Sequence, residues 1–163
     1  MEEVKVIDVK IFPYRYLKPE TTEKILNDLL ELKGIVRVMI NGESLPKIIG
    51  FGPAKGVNVN HSDRKVIKVK KKDIKLFISV GSIIITVELE KVNLFLKKLD
   101  NILLKRLNFK YEISAGIFTK NNTTVSDYLK YGVGFEEKID YRMIGLVDPN
   151  ARSKETVKLI LGD

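Results

Sequence analysis

The sequence predicts an α+β protein in which two main helices lie on one face of an antiparallel sheet. Three observations lead there. Several short runs alternate apolar and polar residues, the period of a half-buried strand. Two longer runs repeat apolar residues at three and four positions, the period of a helix. The runs follow one another as β-α-β, a long loop, a β-hairpin, α and β. At 163 residues the chain is expected to form a single domain over 1–163, large enough to bury a core without a metal or disulfide.

Residues 4–12 read as the first strand, with Ile7, Val9 and Ile11 on one face and Asp8 and Lys10 on the other; Pro13 ends or bends it. The first helix is expected over 20–33. Pro19 suits its entry, Glu20 and Glu23 favour its first turn, a threonine serves as cap, and Gly34 stops it. Its apolar stripe is Ile25, Leu26, Leu29 and Leu30. A second strand covers 35–40. From 41 to 63 the pattern stops, punctuated by Gly42, Pro46, Gly50, Gly52, Pro53 and Gly56. A loop of that length in a compact domain is usually functional.

Strand signals resume over 65–70 and 74–80. Gly81-Ser82 then reads as a two-residue hairpin turn leading into 83–89. The second helix runs over 91–106 on the stripe Val92, Phe95, Leu96, Leu99, Ile102 and Leu103. A strand over 109–117 follows. Thr124 caps a short helix to Lys130, one more strand lies near 142–146, and the stretch 148–163 is expected to be irregular and peripheral. Without the extra hairpin strand, this order is the split β-α-β repeat of ferredoxin-like folds. The expected architecture is therefore a ferredoxin-like sandwich with an added β-hairpin.

Composition narrows the chemistry. The absence of cysteine excludes disulfides, thiolate metal sites, iron–sulfur ligation and thiol nucleophiles, and fits a cytoplasmic protein. The N-terminus lacks the pattern of a signal peptide, and the most apolar stretch, 82–87, is too short to span a bilayer. No membrane partner is expected. With 29 Lys and Arg against 21 Asp and Glu, the net charge of +8 admits acidic partners, nucleic acid among them, or simply a solvated surface.

Enzyme signatures are sparse. His61 is the sole histidine, so no histidine cluster holds a metal, and no serine sits in a nucleophile elbow. The paired acids Glu2-Glu3 and Glu136-Glu137 are adjacent and do not face one another. The run from Gly50 to Gly56 departs from both phosphate-binding fingerprints: its lysine, Lys55, precedes the glycine, and Pro53 has no N–H to offer. It remains a candidate anion-binding loop. Arg64, Lys65, Lys68, Lys70, Lys71, Lys72 and Lys75 form the densest basic cluster, either a ridge for an acidic partner or protection of an edge strand. Only Phe77 interrupts it, and one ring is no stacking platform for RNA.

Several ordered blocks carry a family resemblance. The run Ile11-Phe12-Pro13-Tyr14-Arg15-Tyr16-Leu17-Lys18-Pro19-Glu20, the central Leu45-Pro46, Gly52-Pro53-Ala54-Lys55-Gly56 and His61-Ser62-Asp63-Arg64-Lys65, and the later Thr124-Val125-Ser126-Asp127-Tyr128 and Ile144-Gly145-Leu146-Val147-Asp148-Pro149 span most of the chain. They resemble the methyl-coenzyme M reductase operon protein D family. The resemblance implies a methanogenic archaeon and a small non-catalytic accessory protein. Such a protein would bind subunits of the methane-forming, nickel-tetrapyrrole reductase and help its assembly or maturation, with no cofactor or metal of its own. It supplies no catalytic residues. The expected docking surface is formed by Pro13, Tyr14, Arg15 and Tyr16 together with Phe51, Gly52, Pro53, Lys55, Gly56, His61 and Arg64. In this reading Arg15, Lys55 and Arg64 supply charge, and Tyr14, Tyr16 and Phe51 anchor. A basic nucleic-acid-binding module is the alternative.

Overall fold

A computed structural model describes residues 5–45, 52–58, 61–62, 64–118 and 154–160. The elements are β1 (Val6–Pro13), α1 (Pro19–Leu29), β2 (Ile35–Ser44), β3 (Lys65–Val69), β4 (Lys72–Leu76), β5 (Ile78–Glu88), a short 3-10 turn (Leu89–Lys91), α2 (Val92–Arg106), β6 (Tyr111–Gly116) and β7 (Lys154–Ile160). Five strands form one sheet in the order β6-β1-β5-β2-β7, and β3-β4 form a separate hairpin. Every neighbouring pair is antiparallel. β1 and β2 both flank β5 antiparallel to it, so they run parallel to each other and α1 is a crossover between them. α2 connects β5 to β6 across β1 in the same way. This is the expected ferredoxin-like arrangement, with the hairpin inserted between β2 and β5.

Register shows where the core sits. Val9 lies opposite Ile85, which lies opposite Val38; Ile11, Ile83 and Ile40 form the next row. These residues share one buried cluster with Ile25, Leu26 and Leu29 of α1 and with Phe95, Leu99 and Leu103 of α2. Both helices therefore cover the same sheet face. The inner face of the hairpin, Ile67, Val69, Ile74 and Leu76, joins the cluster too. Among the described residues no helix is long and apolar enough to cross a membrane.

Several local expectations are corrected. Gly81-Ser82 is not a turn: it lies inside the continuous strand β5. Ser82 pairs with Asn41 of β2, so the Gly81-Ser82 pair is held extended by the ladder. The β3-β4 hairpin turns at Lys70-Lys71, one residue before the expected Lys71-Lys72, and the φ values of 51° and 68° are those of a primed turn made without glycine. No threonine caps α1. Its cap residue, Lys18, makes no side-chain bond, and Thr22 is buried, its hydroxyl donating back to the Lys18 carbonyl at 2.9 Å. α1 ends at Leu29, four residues before the expected end, in tight turns that lead to Gly34 at φ 94°. β2 continues to Ser44, into the segment read as loop. The segment 154–160, expected to be irregular, is a strand paired with β2 from Arg37↔Ile160 to Glu43↔Lys154. The short helix expected from Thr124 and the strand expected near 142–146 lie outside the described residues.

Candidate functional site

A cleft opens where β1 leaves β5. Their ladder runs as far as Ile11↔Ile83. The next contact is the bridge Leu17↔Val80, where the Leu17 N–H donates to the Val80 carbonyl at 2.9 Å. Between these points, Phe12, Pro13, Tyr14, Arg15 and Tyr16 face only Gly81 and Ser82. β1 stays attached to its other neighbour: Pro13 lies opposite Tyr111, and the Tyr14 N–H donates to the Lys110 carbonyl at 2.9 Å. The strand is thus held by β6 while it bulges away from β5.

The gap is an open cleft of about 420 Å³. Lys10, Phe12 and residues 13–16 line one wall, Asn41, Gly42 and Glu43 the other, with Gly81 and Ser82 between. Gly42 is required by its surroundings, whereas a Cβ on Gly81 would meet only ordinary van der Waals contacts. A Cβ on Gly42 would fall 1.7 Å from the Ser79 carbonyl oxygen, at the register shift between β2 and β5. A Cβ on Gly81 would come within 3.5 Å of the Tyr16 ring, which lies over it.

Side chains around the cleft are held by neighbours. Phe12 and Tyr14 meet edge-to-face, ring centres 6.1 Å apart. The Tyr14 hydroxyl donates to the Glu112 carboxylate, and that bond pushes the phenol pKa up. The Arg15 guanidinium sits 5.8 Å from the Phe109 ring centre, and the Lys10 ammonium 5.7 Å from that of Phe118. Phe12, Tyr14 and Tyr16 nevertheless remain 47%, 54% and 58% exposed. Fixed aromatic rings beside cations suit the capture of a protein surface. Among the described residues no group of three His, Asp or Glu is placed to hold a metal.

Of the two segments expected to form one surface, residues 13–16 line the cleft. Pro13 is buried at the strand end, while Tyr14, Arg15 and Tyr16 are exposed at the cleft. Gly52, Pro53, Lys55 and Gly56 form an exposed turn, with the Lys55 N–H on the Gly52 carbonyl at 3.1 Å; they are not among the residues lining the cleft. Phe51 lies outside the described residues. His61 is exposed, and its carbonyl accepts from the Arg64 N–H at 3.1 Å. The Arg64 side chain is partly buried and engaged within the fold, against Phe77 and the Leu45 carbonyl.

Part of the expected basic ridge is neutralised. α1 presents Glu20, Glu23 and Asn27, and the turn after it Glu31, to β3 and the turn that follows. Glu20 pairs with Lys65 and Glu31 with Lys70. Glu23 accepts from the Lys68 N–H at 3.2 Å. Asn27 donates to the Lys68 carbonyl at 2.9 Å and accepts from the Lys70 N–H at 3.0 Å. The edge of β3 is therefore covered by helix side chains, which do the protecting that lysines were expected to do. Lys68, Lys71, Lys72 and Lys75 are exposed.

Sequence reasoning missed one constellation. On the sheet face away from the helices, Asp8, Thr86 and Arg37 lie side by side on β1, β5 and β2 and are 5%, 3% and 5% exposed. Thr86 donates to Asp8 at 2.7 Å and accepts from Arg37 Nε at 3.1 Å; Asp8 also accepts from the Phe118 N–H at 2.9 Å. Alternation places Asp8 on this face correctly, but the partners come from strands far away in sequence. Of the neighbouring positions on this face, Lys10, Phe12, Ser82 and Ile84, one is aromatic, which is not the stacked platform of an RNA-binding sheet.

Comparison with known proteins adds a family. The pattern of the family described as methyl-coenzyme M reductase operon protein D matches residues 8–156. A protein of Methanocaldococcus jannaschii named methyl-coenzyme M reductase II operon protein D is 54% identical over 98% of this chain and 94% of its own length. Proteins of the same name from Methanothermus fervidus and Methanothermobacter thermautotrophicus are each 50% identical. The first match covers 98% of both chains, the second 96% of this chain and 97% of the other.

Proposed function

The chain belongs to the methyl-coenzyme M reductase operon protein D family, and from that premise we propose that it is a non-catalytic accessory protein of the cytoplasm that binds methyl-coenzyme M reductase and assists its assembly or maturation. The observation that carries the binding half of this reading is the cleft. Phe12, Tyr14 and Tyr16 are three exposed rings within five residues, braced by neighbours and flanked by Lys10 and Arg15. Exposed aromatics and arginine are the residue types that dominate binding energy at protein interfaces. Because the rings and the Arg15 head already have neighbours to rest on, little side-chain freedom is lost on docking. Docking to incompletely assembled subunits would hold them until the remaining parts join.

The test is co-purification of the tagged full chain from its native host after nuclease treatment. Reductase subunits are expected to come down with the natural sequence. They are expected to be lost with Arg15→Ala combined with Tyr16→Ala, at unchanged Tm. Absence of the subunits, or their undiminished capture by the double variant, overturns the reading. Recovery of nucleic acid alone, weakening steeply with salt, would replace it by a nucleic-acid-binding function.

A further inference from the structure

The hairpin tip is built against its own backbone preference. Lys70 and Lys71 both hold positive φ, 51° and 68°. Glycine and asparagine take that conformation readily, whereas the Cβ of lysine crowds the following carbonyl. Strain of this kind persists where the surroundings hold it and where it serves a function. Here α1 and the turn after it do the holding. Asn27 bonds the Lys68 carbonyl and the Lys70 N–H, and Glu31 pairs with the Lys70 ammonium. The apolar inner face of the hairpin is part of the core. The tip is a fixed projection rather than a loose turn.

Its charge is concentrated. Glu20 and Glu31 neutralise Lys65 and Lys70, and a Glu23 oxygen is engaged by the Lys68 N–H. Lys71 and Lys72 are exposed and make no ion pair among the described residues. Asp73 is the one acid in 65–76. The cationic surface is therefore small and bordered by the carboxylates of α1 and of the turn after it. A nucleic-acid backbone following the ridge would run beside those carboxylates, whereas a compact acidic patch on a protein would meet only the tip.

We propose that Lys71 and Lys72, presented by the strained turn, form a second docking element for an acidic patch on a protein. This rests on the reading above, which makes that protein a reductase subunit. The charges act at an interface rim, so they speed association and make it salt-dependent.

The test is binding of the full-length chain to immobilised purified reductase, by interferometry, at about 50 mM and about 300 mM NaCl. Lys71→Glu with Lys72→Glu is expected to weaken binding roughly tenfold at the lower salt, with the difference shrinking at the higher. Lys71→Gly is expected to weaken binding about threefold while raising Tm by roughly 2–4 °C, because it releases strain. Unchanged affinity in both variants overturns this inference alone. So does a lowered Tm for Lys71→Gly, or displacement of the reductase by a single-stranded oligonucleotide. No binding by the natural chain overturns both this inference and the reading it rests on.

Discussion

The Arg64 guanidinium lies 3.8 Å from the centre of the Phe77 ring, and its Nε donates to the Leu45 carbonyl at 3.0 Å. Leu45 follows β2, Arg64 precedes β3 and Phe77 separates β4 from β5, so one side chain ties together three junctions of the insertion. The Leu45 N–H closes the same knot on the Phe77 carbonyl at 2.7 Å. Arg64→Ala is expected to lower stability by about 1–2 kcal/mol through the lost stacking and hydrogen bond. Arg15→Ala, at the exposed cleft, should cost less than about 0.5 kcal/mol. Urea unfolding of the two variants checks the difference, which separates a structural arginine from a docking one.

Asn27 links three backbone groups: it donates to the Glu23 and Lys68 carbonyls and accepts from the Lys70 N–H. Asn27→Ala should destabilise the protein by about 1–2 kcal/mol, since water replaces part of what is lost. Hydrogen exchange should quicken at the Lys70 amide and leave β5 protected. Equal exchange at both would mean that the hairpin edge does not depend on α1.

Gly42 leaves no room for a methyl group, because the Ser79 carbonyl occupies its place. Gly42→Ala must force β2 from β5 at the register shift, at a cost of about 3 kcal/mol or more. The readout is a lower denaturation midpoint, with chemical-shift changes centred on Ser79 and Val80. A neutral substitution would show that the two strands can part there freely.

Burial, reinforced by the hydroxyl's bond to Asp100 at 2.7 Å, raises the Tyr111 pKa to about 12. A folded-state value above that of the unfolded chain means that this phenol's contribution to stability is complete below about pH 10 and is lost as pH rises toward 12. Ultraviolet titration should show a tyrosine ionising near pH 12, and Tyr111→Phe should remove that step while leaving the raised Tyr14 in place. If the late step survives in the variant, it belongs to another tyrosine.

Much of the protein was legible in its sequence. The alternation of Val9 and Ile11, the helical spacing of Ile25, Leu26 and Leu29 and that of Phe95, Leu99 and Leu103 reflect local periods, so the elements and the ferredoxin-like order followed from them. The segment 13–16 stood out through its resemblance to a family signature, beside the strand-ending Pro13. What tertiary structure alone decided were contacts between residues distant along the chain. Gly81 looked like a turn because no local rule reveals that Ser82 pairs with Asn41 of β2. The turn expected at Lys71-Lys72 falls one residue earlier, at Lys70-Lys71, where Asn27 holds the Lys70 N–H. Alternation put Asp8 opposite the core face, but only the packed chain joins it through Thr86 to Arg37 across three strands. That Arg64, expected as a docking charge, also lies against Phe77 is visible only in the packed chain. Local pattern sets which face a side chain takes. Only the packed chain decides what meets it there.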